Sequence, residues 1–139
     1  MSKKLTLVEV GPRDGFQNIK EYIPVETKLA VIDSLVDAGV KHMQITSFVH
    51  PKAIPQLRDA AQVAETCLKK YPDLDLFALI PNYKGAENAR NIGIKKVTNV
   101  ISLSETHNKA NINRTRDESL AGLEKIFKDF PKTWKSVWM

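Results

Sequence analysis

Apolar positions along this chain follow two alternating patterns. Short continuous apolar runs recur four times, and each is typical of a strand that is buried on both faces. These runs lie at residues 5–10, 42–48, 74–80 and 97–103. Because a polar loop and a stretch of different periodicity follow each run, the chain is predicted to repeat one strand–loop–helix unit.

Helical spacing of apolar residues separates the four runs. The predicted helices cover residues 25–36, 55–71 and 85–92, and a fourth begins at a capping box that Thr115 forms with Glu118. Alternating strands and helices predict an α/β fold with a parallel sheet and right-handed connections. No linker or low-complexity segment interrupts this pattern, which predicts a single domain.

Composition and charge exclude several classes of protein. The 139 residues are 42% hydrophobic and 27% charged, and their net charge is +5. Basic residues are scattered, so we expect no nucleic-acid partner. The sequence contains neither an apolar run long enough to span a bilayer nor a signal-peptide pattern, so we expect no membrane partner. A single cysteine, Cys67, fits a reducing compartment and predicts a cytoplasmic protein.

Unusual polar residues concentrate in the loops that follow the predicted strands. In α/β folds this edge of the sheet carries the ligand site. The residues are Arg13, Asp14, Gln17, His50, Lys52, Asn82, Glu105, His107, Asn111 and Asn113. The loops at the opposite edge resemble ordinary turns, and this asymmetry indicates a site-bearing face.

Arg13 and Asp14 are the most informative pair. Gly11 and Gly15 bracket them and allow a sharp turn. A carboxylate at a strand end suits a hard cation such as Mg²⁺ or Mn²⁺, and a guanidinium beside it suits an anionic oxygen. The alternative is a solvated ion pair in a turn, and the local pattern leaves both open. For Gln44, inside a strand, the alternatives are a bond to a ligand and a bond to neighbouring backbone.

The histidines and the cysteine give weaker signals. No two histidines have metal-ligand spacing. His42 begins its strand at the wrong edge and is expected to be structural or exposed, whereas His50 and His107 lie in site-side loops as hydrogen-bonding residues. Cys67 falls on the apolar side of the second helix and is expected to be buried and inert.

Together these loops resemble the 3-hydroxy-3-methylglutaryl-CoA (HMG-CoA) lyases, a family of metal-dependent TIM-barrel lyases. The stretches that carry the resemblance are "VEVGPRDGFQ", "TSFVHPKAIPQ", "PNYKG" and "SETHNKANIN", in this order along the chain. The proline of G-P-R-D-G favours the lyase branch over the synthases of the same superfamily.

The resemblance implies a retro-Claisen cleavage of an acyl-CoA substrate to acetyl-CoA and acetoacetate. It makes Arg13 catalytic, as the stabiliser of the thioester or enolate oxygen, and Asp14 a ligand of Mg²⁺ or Mn²⁺. The implied substrate-binding residues are Arg13, Gln17, Gln44, Asn82 and Glu105. The family commonly has glutamate where this chain has Gln44, so a related acyl-CoA is an alternative substrate.

Besides Gln44, the chain departs from the family in its length. A (β/α)8 barrel needs about 250 residues, and this chain supplies about four βα units. Residues 1–130 would form the N-terminal half of the barrel, without lyase competence alone. Residues 131–139 make a poor fifth strand, and a neighbouring reading frame gives a better one, which suggests a frameshifted or truncated product. The alternatives are a synthase or aldolase of the superfamily, and a non-catalytic half-barrel that binds CoA-like ligands or a partner chain, including a homodimer.

Overall fold

A four-stranded parallel sheet organises the chain. The computed structural model describes residues 4–130 and the backbone of residues 135–137. The strands, adjacent in chain order, are β1 (His42–Ser47), β2 (Asp75–Ile80), β3 (Lys96–Asn99) and β4 (Lys135–Val137). All three strand pairs are parallel. The predicted parallel α/β arrangement is therefore confirmed.

Helices connect successive strands. They are α1 (Val25–Asp37), α2 (Ala60–Lys70), α3 (Tyr83–Ile92), α4 (Glu105–Ile112) and α5 (Arg116–Asp129). A π-helical turn at Gly11–Gly15 and a 3₁₀ turn at Pro55–Leu57 lie in the first two site-side loops. No helix in the described part of the chain is long and apolar enough to cross a membrane.

The prediction of a strand at residues 5–10 is wrong, because the segment does not form a continuous strand. Only one parallel bridge forms there, between Glu9 and Met43. Leu5 and Leu7 are 92% and 85% exposed, so this apolar run buries little of its surface. In the described chain it has β1 as its neighbour on one side and no strand on the other, which explains why alternate apolar residues remain uncovered.

One further expectation is wrong, and the described backbone also bears on the expected last strand. The stretch after β3 was predicted as a loop, but residues Glu105–Ile112 form α4, which Ser104 caps with its hydroxyl. The last strand, expected to be poor, pairs with β3 through the backbone of Lys135–Val137. An unpaired strand edge offers hydrogen bonds to backbone of almost any sequence, so a weak apolar pattern suffices there.

The hydrophobic core lies between one face of the sheet and the helices. Met43 and Ile45 of β1 and Ala78 of β2 point into it and meet Ile32 of α1 and Val63 of α2. All five are at most 2% exposed. Because side chains alternate along a strand, Gln44 and Phe77, which are in register, belong to the opposite face of the sheet. Gln44 is thus kept off the face that packs against the helices.

The predicted capping box at the start of α5 is confirmed. The Glu118 amide donates to the Thr115 hydroxyl at 3.1 Å, and the Thr115 amide donates to the Glu118 carboxylate at 2.8 Å. These backbone and hydroxyl hydrogen bonds hold the pKa of Glu118 below its ordinary value. Both bonds satisfy amides that a helix N-terminus otherwise leaves to solvent.

Thr115→Ala removes this cap and is expected to lower the free energy of unfolding by about 1 kcal/mol. Urea unfolding followed by circular dichroism measures the change. Thr66→Ala is the matched control, because the Thr66 hydroxyl bonds only the Gln62 carbonyl within α2. Equal losses in the two variants would contradict the assignment of the cap.

Cys67 is 1% exposed in α2, as expected. Burial raises the pKa of its thiol to about 11. At pH 8 the group is therefore a protonated, inaccessible thiol, and the thiolate is the reactive species. We expect the folded chain to resist a thiol reagent such as iodoacetamide and to react once urea unfolds it. Rapid modification of the folded protein would show that the burial is wrong.

Candidate active site

The turn at Gly11–Gly15 sets the directions of Arg13 and Asp14. The carbonyl of Val10 accepts both of their amides, at 3.0 and 2.7 Å, which tightens the backbone after the first bridge. The Glu9 carboxylate accepts the Gly11 amide at 2.6 Å. A Cβ at Gly11 would lie 2.8 Å from that carboxylate oxygen, so a larger residue there would displace the end of the Glu9 side chain. The turn therefore brings a cation and an anion together at a fixed point beside β1.

The Arg13 guanidinium connects this turn to the sheet. Its Nε donates to Oε1 of Gln44 at 2.5 Å, and its Nη1 donates to Oδ1 of Asp14 at 2.8 Å. The Arg13 side chain is 14% exposed and that of Asp14 is 55% exposed. Gln44 is fully buried. The structure thus shows an ion pair in a turn, anchored to a buried strand amide, and the Gln44 oxygen bonds a side chain where a ligand or backbone was expected.

Asp14 can supply one ligand to a hard cation. Arg13 occupies its Oδ1, and its half-exposed carboxylate remains accessible to solvent. Among the residues that the structure describes, no three histidine, cysteine, aspartate or glutamate side chains gather as a metal site. A divalent cation needs about six oxygen ligands, so Asp14 fits the ion as one donor and cannot hold it alone. The metal role of Asp14 remains a prediction.

The other predicted substrate-binding residues take no part in the hydrogen bonds between Arg13, Asp14 and Gln44. Gln17 is half-buried in the helical turn that follows Gly15. Asn82 caps α3 through a bond from the Gly85 amide at 2.9 Å. Glu105 is exposed in the first turn of α4, where it accepts the Arg116 amide at 3.0 Å. Each has a local structural contact or position, and its substrate role remains a prediction.

The histidines have ordinary polar partners. His42 Nδ1 lies 2.8 Å from Oδ2 of Asp75, which Lys96 also contacts, at the opposite edge of the sheet from Arg13. Burial alone would raise the pKa of Asp75, but the hydrogen bonds from Lys96 and His42 hold it below its ordinary value. His107 contacts Asn111 within α4. The expectation that His42 is structural or exposed agrees with these contacts.

A buried ion pair beneath the site escaped sequence analysis. Lys28 of α1 and Asp59, just before α2, are 2% and 6% exposed. Lys28 Nζ lies 2.8 and 2.7 Å from the two Asp59 oxygens and also contacts the Gln56 carbonyl. Lys28 lies three residues after Val25 and four before Ile32, within the apolar stripe of α1. A charged residue at such a position is the signal that could have revealed the pair.

The ion pair extends into a network that joins the first two site-side loops. Tyr22 donates its hydroxyl to Asp59 at 2.8 Å, and the Arg58 guanidinium lies 3.7 Å from the centre of its ring. Burial and the bond to Asp59 raise the pKa of Tyr22. Gln56 Nε2 donates to the carbonyls of Ile19 and Lys20 at 2.7 and 3.2 Å. The loop that leaves the Arg13 turn is therefore held against the loop that follows β1.

Lys28→Met leaves the Asp59 carboxylate buried without its cation and is expected to lower the free energy of unfolding by about 3–5 kcal/mol. Chemical denaturation followed by circular dichroism measures the loss. Lys70→Met is the control, because its pair with Asp33 at 2.7 Å is largely exposed and should matter far less. If both variants lose the same stability, the buried pair does not hold the loops as described.

Comparison with known proteins places these features in a family. The HMGL-like family model matches residues 4–137. Hydroxymethylglutaryl-CoA lyase of Bacillus subtilis is 45% identical over 130 residues, which are 94% of this chain and 43% of that protein. The mitochondrial hydroxymethylglutaryl-CoA lyase of Bos taurus is 42% identical over 126 residues, which are 91% of this chain and 38% of that protein. The chain thus spans about two fifths of the length of these curated relatives.

Solved structures agree with this placement. An HMG-CoA lyase from Acinetobacter baumannii, in complex with coenzyme A and 3-methylmalate, superimposes with a TM-score of 0.88 at 36% identity, over 96% of this chain and 44% of that one. The Bacillus subtilis HMG-CoA lyase superimposes with a TM-score of 0.84 at 45% identity, over 92% of this chain and 43% of that one. These neighbours are TIM barrels, so the parallel sheet described above is part of a barrel of that class.

Proposed function

The chain belongs to the HMGL-like family, and on that premise we propose that it takes part in the cleavage of a 3-hydroxy-acyl-CoA, HMG-CoA or a close relative. The observation that carries the proposal is the Arg13 guanidinium, anchored on Gln44 and paired with an accessible Asp14. A cation that is fixed at one end and 14% exposed can receive an anionic oxygen without first being ordered. The coenzyme A bound to the Acinetobacter baumannii neighbour supports an acyl-CoA ligand.

The proposed reaction is a retro-Claisen cleavage. A base removes the proton of the tertiary hydroxyl at C3, and the C3 oxygen becomes the ketone of acetoacetate as the C2–C3 bond breaks. The bonding pair moves to C2 and gives the enolate of acetyl-CoA, which a proton at C2 converts to acetyl-CoA. Negative charge therefore develops on the thioester oxygen, where a guanidinium stabilises it more strongly than it stabilises the neutral substrate.

Arg13, Gln44 and Asp14 each have a defined part in this proposal. Arg13 holds the enolate oxygen, and Gln44 holds Arg13. Members of the family are metal-dependent, and a bound divalent cation would supply positive charge for the same oxygen, with Asp14 as one of its ligands. Gln44 is a neutral amide and cannot serve as the base, so the proposal leaves proton removal at C3 to another group.

Equilibrium binding of HMG-CoA to the 139-residue chain tests the proposal. Isothermal titration calorimetry in Mg²⁺ should show saturable binding, and Arg13→Met should weaken it about tenfold or more, which corresponds to about 1.4 kcal/mol. Arg58→Met is the matched control, since Arg58 packs on Tyr22 outside this corner. Equal affinities for native chain and Arg13→Met would show that Arg13 does not face the ligand, and the proposed role would fall.

A further inference from the structure

Gln44 presents its carbonyl oxygen, and not its amide nitrogen, to Arg13. Arginine nitrogens only donate hydrogen bonds, so the Gln44 atom 2.5 Å from Arg13 Nε must be the acceptor Oε1. Gln44 is 0% exposed, whereas the Arg13 side chain, which comes from the turn at Gly11–Gly15, is 14% exposed. A ligand would therefore meet Arg13 first, and Gln44 would act on that ligand through the guanidinium.

The bond uses one specific donor of the guanidinium. Arg13 has five N–H donors, of which the structure engages Nε with Gln44 and Nη1 with Asp14. Anchoring at Nε fixes the plane of the group and leaves the outer edge of the fork for a further acceptor. A carboxylate or an enolate oxygen is the acceptor that such an edge recognises.

The charge of the anchor decides how strongly an anion binds. A carboxylate in place of the Gln44 amide would form an ion pair with Arg13 and cancel much of its field in a buried setting. The neutral amide gives the same geometry without that cancellation. Asp14 is then the anionic partner that the structure gives to Arg13, and its 55% exposure lets water screen it.

We propose that Gln44 is a positioning residue, which orients Arg13 through Nε without adding a second negative charge beside it, so that the guanidinium still attracts an anionic oxygen of the ligand. This inference deepens the proposed function and rests on it for the identity of the acyl-CoA. It assigns a consequence to the amide at this position: the site favours ligands with more negative charge at this oxygen than it would with a second, buried carboxylate at position 44.

The position of Gln44 in the sheet argues for this role and against a role in core packing. Gln44 lies on the face opposite the helical core, in register with Phe77. Its Nε2 is buried and makes no hydrogen bond within the described residues. An amide kept only for stability would be expected to use both of its ends, whereas this one uses the end that faces Arg13.

Binding of malonate to the full chain, without metal, tests the inference apart from lyase chemistry. Malonate supplies carboxylate oxygens, and malonamide is its neutral counterpart. In ¹H–¹⁵N NMR spectra the Arg13 Nε–H signal should move with malonate and stay in place with malonamide, and the Arg58 Nε–H signal should not follow it. No saturable malonate binding, or equal effects of the two probes, would overturn the inference.

Gln44→Glu separates charge from shape. Its malonate affinity should fall about tenfold, while its melting temperature stays within a few degrees of the native chain, because the new carboxylate keeps the bond to Arg13. Gln62→Glu is the matched control, since it adds the same charge on the exposed side of α2 and should bind as the native chain does. Unchanged affinity in Gln44→Glu would overturn the inference.

Failure of the proposed function gives a different result. If HMG-CoA does not bind but malonate binding depends on Gln44 as stated, the positioning role stands and the acyl-CoA assignment falls. If HMG-CoA binds through Arg13 while Gln44→Glu retains full malonate affinity, the proposed function stands and the positioning role is wrong.

Discussion

The buried ion pair between Lys28 and Asp59 is the interaction on which the site depends most. It places a cation and an anion where the surrounding positions are apolar, and such a pair persists only when its geometry is well satisfied. Tyr22 and the Gln56 carbonyl supply the remaining bonds. Because these residues come from α1, the loop before it and the segment before α2, the pair fixes two βα units relative to each other.

The Arg13–Gln44 contact depends on that relative placement. Thirty-one residues separate the two side chains, and they meet because Glu9 bridges Met43 in parallel register. A shift of one residue in that register would displace the Arg13 turn along β1 and remove the bond to Gln44. The candidate active site is therefore a consequence of strand register and loop fixation, together with the turn at Gly11–Gly15 that directs Arg13.

Sequence patterns predicted the helices and strands better than they predicted the contacts between side chains. The capping box at Thr115 and the apolar spacing of α1 are local signals, and both were confirmed. Helix α4 was missed because its interior is mainly polar and its cap, Ser104, lies in a stretch that also suits a loop. The run at residues 5–10 looked buried because periodicity does not reveal how many neighbours a strand has. The Lys28–Asp59 pair could not be predicted in full, since burial of a charge requires knowing its partner in space.

The central claim is that Arg13 is a preorganised cation, held by a neutral amide for an anionic ligand oxygen. A crystal structure of the chain with malonate tests it most directly. The account predicts a carboxylate within hydrogen-bond distance of the guanidinium outer edge, with Nε still bonded to Gln44 Oε1. A malonate bound elsewhere, or an Arg13 side chain that leaves Gln44 to reach it, would contradict the account.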